Sequence, residues 1–245
     1  MTKNSVFSSS KRCVECGAEI EDTYEIFCGQ FIRLKMCPQC KKIADKYIEY
    51  DNVLVYLDLF LQKPPVYRHL LYNHDKAIMA FFVKLFLGSM LLEGYIRQST
   101  VQFPNFYSFL RNIAQAIFED VIFLIMCIIP IVLIKKTTIE ETVVMVSQSF
   151  LIGSLGKIFL CLVLMWNDPL PIYFFSVGMS NLAYFVCLSV VLDWKVWKTL
   201  VFGSVILAIF TLLTSKFLPI TPFTYFVING NFMEMVLQDL FKLAE

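Results

Sequence analysis

Hydrophobic positions form long uninterrupted runs after residue 76, whereas polar and charged positions dominate the first 50 residues. Five of these runs approach the ~20 residues that a helix needs to cross the hydrocarbon core of a bilayer. We expect spans at approximately residues 77–96, 117–134, 143–166, 171–192 and 199–218, with a short C-terminal tail after the last. The pattern therefore predicts a mostly α-helical membrane protein whose residues 77–245 form a bundle of about five transmembrane helices.

The segment 41–76 connects the polar start of the chain to this bundle. Its apolar residues recur at helical spacing, and the sequence Lys63-Pro64-Pro65 should end the helix. The apolar stretch VLVYLDLFL is too short to span a bilayer, so we expect it to lie on the membrane surface or against the spans. The segment is predicted to be an amphipathic, interfacial helical bridge. The residues at helical spacing are Ile43, Tyr47, Tyr50, Leu54, Leu57 and Leu61.

Four cysteines in residues 13–40 form two Cys-x-x-Cys pairs separated by twenty residues. Each pair resembles a zinc knuckle, and Gly17 follows the first pair, where a left-handed backbone is useful. Four thiolates make a closed tetrahedral shell, which is typical of structural Zn²⁺ sites. We therefore expect a zinc ribbon with a small β-hairpin between the knuckles, preceded by a flexible tail at residues 1–12. The predicted zinc ligands are Cys13, Cys16, Cys37 and Cys40.

A disulfide framework and a redox pair are the alternatives for these cysteines. The first 50 residues contain no apolar run of the length that a secretory signal requires, so we expect this part to stay in the cytosol, where structural disulfides are rare. No βαβ pattern surrounds either pair, as a thioredoxin-like redox site would need. A fifth cysteine, Cys28, exceeds what a tetrahedral site needs, and we expect a small buried side chain or a turn residue there.

Composition and charge agree with a membrane protein and indicate its orientation. Hydrophobic residues make up 58% of the chain and charged residues 17%, against roughly 45–50% and about 25% in soluble proteins. With the N-terminus in the cytosol, cytosolic segments carry fifteen Lys and Arg residues and the opposite side four, which fits the positive-inside rule. Residues 1–76 hold eleven basic and ten acidic residues, so we expect no nucleic-acid partner.

Two lysines, Lys84 and Lys157, fall at membrane depth in the predicted spans. An ionisable side chain inside a membrane is a candidate functional residue. A snorkelling or surface-lying lysine is the alternative for Lys84, and a lysine paired with a neighbour is the alternative for Lys157. Lys157 follows the small-residue stretch GSLG, which permits close helix packing.

The residues give little support to an enzyme. The chain has two histidines, His69 and His74, and no Gly-x-Ser-x-Gly or phosphate-binding glycine loop. The acyltransferase pattern His-x₄-Asp is also absent, because Asp75 lies six residues after His69. We therefore expect a non-enzymatic protein.

The cysteine pairs followed by ADKYIEYDNVLVYLDLFLQKPPVYRHLLYN closely resemble the homology domain of the Arv family, over approximately residues 13–74. GSLGKIFL and MWND later in the chain also look like this family, whereas Cys28 and the short C-terminal tail depart from it. The residues that match the family's polar and aromatic signature, beside the four paired cysteines, are Asp45, Lys46, Tyr47, Glu49, Tyr50, Asp51, Asp58, Tyr67, Arg68, His69 and Asn73.

This resemblance implies a multi-pass protein of the endoplasmic reticulum membrane that acts in sterol (cholesterol) and sphingolipid homeostasis. It also implies a link to glycosylphosphatidylinositol (GPI) anchor synthesis through transport of early intermediates. The expected partners are membrane lipids, namely a sterol, a sphingolipid or a GPI intermediate, together with GPI-biosynthesis enzymes. The alternative function is a scaffold that recruits such enzymes without binding lipid itself.

A direct role in lipid transport needs side chains that meet a headgroup or a partner. Arg68 could bind a phosphate or form a salt bridge with a carboxylate such as Asp58, and we leave both open. The residues predicted to contact lipid, headgroup or partner are Tyr47, Tyr50, Asp58, Tyr67, Arg68, His69 and Lys157.

Overall fold

The computed structural model describes residues 11–27, 31–50, 52–74, 77–99, 105–135, 138–164 and 169–217. Most of the predicted N-terminal tail, Cys28 and the predicted C-terminal tail lie outside them.

Two small antiparallel sheets form the N-terminal part, residues 11–44, which we call the cysteine module. Strand β1 (Lys11–Arg12) pairs with β2 (Glu19–Ile20), and β3 (Tyr24–Phe27) pairs with β4 (Phe31–Leu34). The second pair lies between the two Cys-x-x-Cys pairs, so the expected small β-hairpin is confirmed.

The bridge is divided into short helical pieces. A 3₁₀ turn at Lys46–Ile48 precedes α1 (Asn52–Phe60), α2 (Pro64–Arg68) and a π-helical turn at His69–Asn73. The expected stop at the two prolines is present, because α1 ends at Phe60 and Pro64 opens α2. The periodicity from Ile43 predicts a helix that begins earlier, but Ile43 forms a β-bridge with Met36 and Asp45 instead caps the 3₁₀ turn.

Five helices long and apolar enough to cross a membrane follow in the described part of the chain. They are α3 (Ala77–Ser99), α4 (Phe106–Lys135), α5 (Ile139–Gly153) continued by a 3₁₀ segment (Ser154–Leu164), α6 (Pro169–Leu192) and α7 (Val196–Phe217). The protein is therefore a multi-pass membrane protein with an N-terminal cysteine module, as expected. Helix α4 begins eleven residues before the predicted start at residue 117.

The 3₁₀ segment Ser154–Leu164 is unusually long, since such helices rarely exceed one turn. Gly153, the last residue of α5, and Gly156, in the 3₁₀ segment, lie three residues apart in the chain. A Cβ atom on Gly153 would lie 2.8 Å from Tyr184 Cα, and one on Gly156 would lie 2.7 Å from Ser180 Cα. Glycine at both positions lets the end of α5 and the start of the 3₁₀ segment lie directly against the backbone of α6.

One continuous hydrophobic core joins the cysteine module, the bridge and the bundle. Val14 of the module, Tyr47, Val66 and Leu70 of the bridge, and Val186 of α6 belong to the same buried cluster. The module is thus fixed on the bundle rather than attached by a free linker.

Candidate metal centre, bridge contacts and intramembrane cavity

The four predicted zinc ligands come together at one point of the cysteine module. Their Sγ atoms all lie within 4.8 Å of one another, with Cys13 and Cys40 at 3.7 Å and Cys16 and Cys37 at 3.6 Å. A tetrahedral ion with sulfur at ~2.3 Å needs sulfur–sulfur separations of about 3.8 Å, so the geometry fits such an ion. The described cysteines form no disulfide. The donor set can therefore hold a metal ion.

Local backbone structure in each Cys-x-x-Cys turn places the sulfurs. In the first turn the N–H of Gly17 donates to the carbonyl of Cys13, and in the second the N–H of Lys41 donates to that of Cys37, both at 2.9 Å. Gly17 has a φ of 80°, as the knuckle pattern predicts, and Lys41 has 57°. The two turns are therefore equivalent although only one carries glycine.

Backbone N–H groups also point at the sulfurs. Those of Glu15 and Cys16 donate to the Cys13 sulfur, and those of Gln39 and Cys40 donate to the Cys37 sulfur. Burial raises the pKa of the Cys13 thiol to about 12, whereas the N–H of Cys40 lowers the pKa of Cys37 to about 7. A bound cation would hold all four groups as thiolates, because a coordinating thiol loses its proton.

Asp45 is the centre of a buried network that ties the module to the bridge. Its side chain is fully buried and accepts hydrogen bonds from the Tyr47 N–H at 3.0 Å and the Asn73 side chain at 2.7 Å, and it contacts His69 Nδ1 at 2.7 Å. Asn73 also donates to the carbonyl of Arg12 and accepts from its N–H. A single carboxylate thus joins the 3₁₀ turn to the π-helical turn, whose last residue is 28 positions away.

Arg68 connects α2 to the first knuckle. Its guanidinium donates to the carbonyl oxygens of Val14 at 2.7 Å and Glu15 at 3.0 Å, between Cys13 and Cys16. Asp58, proposed above as a salt-bridge partner of Arg68, is instead bonded by Tyr47 at 2.7 Å and Lys63 at 2.6 Å. These contacts make Arg68 a support of the candidate metal centre.

The other bridge residues predicted to contact lipid or a partner differ in exposure. Tyr50 is 58% exposed, whereas Tyr47, Asp58, Tyr67 and His69 are buried against neighbouring protein groups. The Tyr67 hydroxyl donates to Gln62, which has a φ of 55° where α1 ends. Four of these side chains therefore hold the bridge in shape.

Lys157 lies in a buried cluster of five charged side chains inside the bundle. Its Nζ is 3.2 Å from carboxylate oxygens of both Glu93 and Asp120. Arg97 contacts Glu93 at 2.7 Å and donates to both oxygens of Glu119, at 3.1 Å and 2.7 Å. Lys157 is therefore paired with neighbouring carboxylates, which was the alternative to a functional lysine. Lys84, the other lysine at membrane depth, is exposed on α3.

A polar face of α4 leads to this cluster. Ser108, Asn112, Gln115 and Glu119 follow one another at intervals of four, three and four residues, which places them on one side of a helix. Gln98 of α3 hydrogen bonds to both Ser108 and Asn112. Polar contacts therefore join α3 and α4 through the first half of α4.

A cavity of about 460 Å³ lies next to the charged cluster, and the five charged residues line it. The lining also contains apolar and aromatic side chains, whose rings contact one another edge to face around Phe123 and Tyr184. The aromatic lining residues are Phe123, Phe150, Tyr184, Phe185 and Phe210. Such a cavity can accept a molecule that is apolar over most of its length and polar at one side.

Lys157 is the member of this cluster that the sequence identifies; Glu93, Arg97, Glu119 and Asp120 were missed. The i, i+4 spacing of Glu93 and Arg97 and the spacing of polar residues along α4 are signals that could have revealed a polar interface. The predicted span ends at residue 96, which places Arg97 in a loop, so its helical spacing from Glu93 was not recognised. In the structure the helix continues to Ser99.

Comparisons with known proteins give one consistent result. "Protein arv1 homolog" of Dictyostelium discoideum is 32% identical over 230 residues, which cover 81% of this chain and 89% of that protein. Human "Protein ARV1" is 27% identical over 197 residues, covering 74% and 70%. "Protein ARV1" of Candida albicans is 50% identical over 62 residues, covering 25% and 21%. No solved structure matches the chain at a significant level.

The family profile described as the Arv1-like family matches residues 12–192. The match begins at the first knuckle and ends at the last residue of α6, so it includes the metal centre, the bridge and most of the cavity. The chain therefore belongs to the Arv1-like family.

Proposed function

We propose that the protein is a non-enzymatic mediator of lipid homeostasis and intracellular lipid transport that binds one membrane lipid in the cavity between its spans. The cavity is the observation that carries this proposal. Its volume of about 460 Å³ is within the ~300–1,000 Å³ of pockets that hold small-molecule ligands. Membership of the Arv1-like family supports the same function, because the resemblance to that family implies a role in sterol and lipid homeostasis.

The mixed lining of the cavity suggests how a lipid would lie. The aromatic residues around Phe123 and Tyr184 would cover a sterol ring or an acyl chain, and the charged residues would face the polar headgroup. Lys157 and Arg97 can donate hydrogen bonds to a hydroxyl or phosphate, while Asp120 can accept one. Sterols, sphingolipids and GPI intermediates all combine these two properties.

The metal in the cysteine module is proposed to be a structural Zn²⁺. Four cysteine ligands close the coordination shell and leave no position for a substrate, which is typical of structural zinc. The metal would fix the two knuckles and thereby the carbonyl groups of Val14 and Glu15 that Arg68 binds. The module is proposed to lie on the cytosolic side of the endoplasmic reticulum membrane.

The absence of catalysis is also part of the proposal. His69 is 5% exposed, and its Nδ1 contacts Asp45 in the bridge, away from the residues that line the cavity. This position suits a structural histidine better than one that transfers protons to a bound lipid.

Transfer of lipid between vesicles tests this function. Purified full-length protein in donor vesicles should accelerate transfer of a fluorescent sterol or a GPI precursor to acceptor vesicles. Gly178 lines the cavity and a Cβ atom built there meets nothing within 4 Å, so Gly178→Phe should place a ring at the cavity and abolish most of the acceleration. A Cβ atom at Gly88, on α3, also meets nothing within 4 Å, but Gly88 does not line the cavity, so Gly88→Phe is the matched control.

Transfer no faster than in protein-free vesicles would reject direct transport. Stable co-purification with GPI-biosynthesis enzymes, without transfer, would favour the scaffold instead. Equal loss of transfer in Gly178→Phe and Gly88→Phe would show that the cavity is not the site.

A further inference from the structure

The β3–β4 hairpin of the cysteine module exposes four large apolar side chains at one end. Ile26 pairs with Ile32 and Phe27 pairs with Phe31 across the two strands. Their exposed fractions are 67% for Ile26, 58% for Ile32, 64% for Phe27 and 70% for Phe31. Apolar clusters of this kind on a protein surface mark contact with another protein or with a membrane.

These four side chains occupy both faces of the hairpin. Successive residues of a strand point to opposite faces, so the isoleucine pair lies on one side and the phenylalanine pair on the other. A folded partner that packs on a two-stranded ribbon covers one face and leaves the other in water. The interior of a bilayer surrounds an inserted ribbon and covers both faces.

Charged residues follow directly beyond the apolar end. Glu25 pairs with Arg33 on the next rung of the ladder, and Lys35 contacts Glu25 at 3.3 Å. The hairpin thus changes from apolar to charged along its length, as a segment at a membrane–water boundary does.

The hairpin belongs to a module that is held at the end of the membrane bundle. Besides the contacts of Arg68 and Asn73, Arg12 reaches Asp193 at 3.5 Å, in the turn between α6 and α7. The module therefore lies close to the surface of the bilayer.

Helix α1 of the bridge, with the residue that follows it, exposes apolar side chains of the same kind. They recur at intervals of three and four residues and form one stripe, and the Phe60 ring stands 5.8 Å from Phe159 in the third span. Apolar surface therefore continues from the spans onto the bridge. The stripe consists of Val53, Tyr56, Leu57, Phe60 and Leu61.

We propose that the end of the β3–β4 hairpin, formed by Ile26, Phe27, Phe31 and Ile32, inserts into the leaflet on which the cysteine module lies. The hairpin is then a second attachment of the module to the membrane, independent of whether the cavity binds lipid. Glu25 and Arg33 lie at headgroup level in this arrangement.

Site-specific photo-crosslinking tests the insertion. The full-length chain is produced in cells with p-benzoylphenylalanine in place of Phe31, and the membranes are irradiated before purification. The same replacement at Glu21, an exposed polar position of the module, is the control. Mass spectrometry of the crosslinked peptides identifies what each position touches, and metal content equal to that of the wild type shows that the module has folded.

Lipid adducts at Phe31, several-fold more abundant than at Glu21, are the expected result. Adducts with residues 218–245 of the same chain would show that another segment covers the hairpin. Adducts with other polypeptides would show a docking site for a protein. Either of these results, or no adduct above the Glu21 control, would overturn the proposal.

Discussion

Alanine at Gly156 should destabilise the bundle, although alanine is a better helix former than glycine. An ideal Cβ at Gly156 lies 2.7 Å from Ser180 Cα and is closer still to Ser180 N. Carbon atoms in contact normally stand ~3.5–4.0 Å apart, so the 3₁₀ segment and α6 would have to separate by roughly 0.8 Å or more. Overpacking of this kind typically costs about 1–3 kcal/mol.

Gly88→Ala is the matched control, because a Cβ at Gly88 meets nothing within 4 Å. There the substitution should stabilise α3 by about 0.5–1 kcal/mol, since glycine is unfavourable inside a helix. The two variants are therefore expected to change the free energy of unfolding in opposite directions.

Equilibrium unfolding in mixed detergent micelles, followed by circular dichroism, measures both changes. The unfolding midpoint of Gly156→Ala should fall below that of the wild type, and the midpoint of Gly88→Ala should exceed it. A Gly156→Ala protein as stable as the Gly88→Ala protein would refute close backbone contact between the 3₁₀ segment and α6.

Substitutions in the cysteine module and in the charged cluster test the remaining contacts. Exchanging Cys37 and Cys40 for serine should remove bound zinc, measured by elemental analysis. Residues 11–44 should then become sensitive to protease, because the metal supplies the folding energy of such modules, while the helical circular dichroism signal of the spans remains. A variant with the zinc content of the wild type would contradict the site. Arg68→Ala should lower the free energy of unfolding by about 1.5–3 kcal/mol, because two carbonyl groups lose a charged donor. It should also lose zinc at a lower chelator concentration than the wild type. Lys42→Ala, at an exposed position, is the control and should retain zinc like the wild type. Lys157→Met should lower the free energy of unfolding, measured by thermal unfolding, by about 3–5 kcal/mol, because it leaves the carboxylates of Glu93 and Asp120 without the ammonium group. Adding Asp120→Asn should recover part of this stability. Identical stability of the single and double variants would argue against an ion pair between Lys157 and Asp120.

The features that short-range patterns determine could be predicted from the sequence. The knuckle geometry depends on residues within six positions of one another, and Gly17 carries its backbone signal. The spans follow from apolar composition over about 20 residues. For both features, the physical cause lies within the segment itself.

The contacts that could not be predicted join residues far apart in the chain. Asp45 meets His69 and Asn73 only because the knuckles and α2 are folded together, and nothing in the spacing of these residues indicates it. The charged cluster likewise depends on how α3, α4 and the 3₁₀ segment pack. Tyr47 illustrates the difference, since its position on a helical repeat suggested the membrane surface, whereas its hydroxyl is buried against Asp58.

The central claim is that a lipid occupies the cavity beside Lys157. Native mass spectrometry of the protein released from bilayers measures this directly, by comparing the lipid retained by the wild type, Gly178→Phe and Gly88→Phe. We expect a lipid-bound species in the wild type and in Gly88→Phe, and its loss in Gly178→Phe. A wild-type protein that carries no lipid, or a Gly178→Phe protein that retains as much as the wild type, would contradict the account.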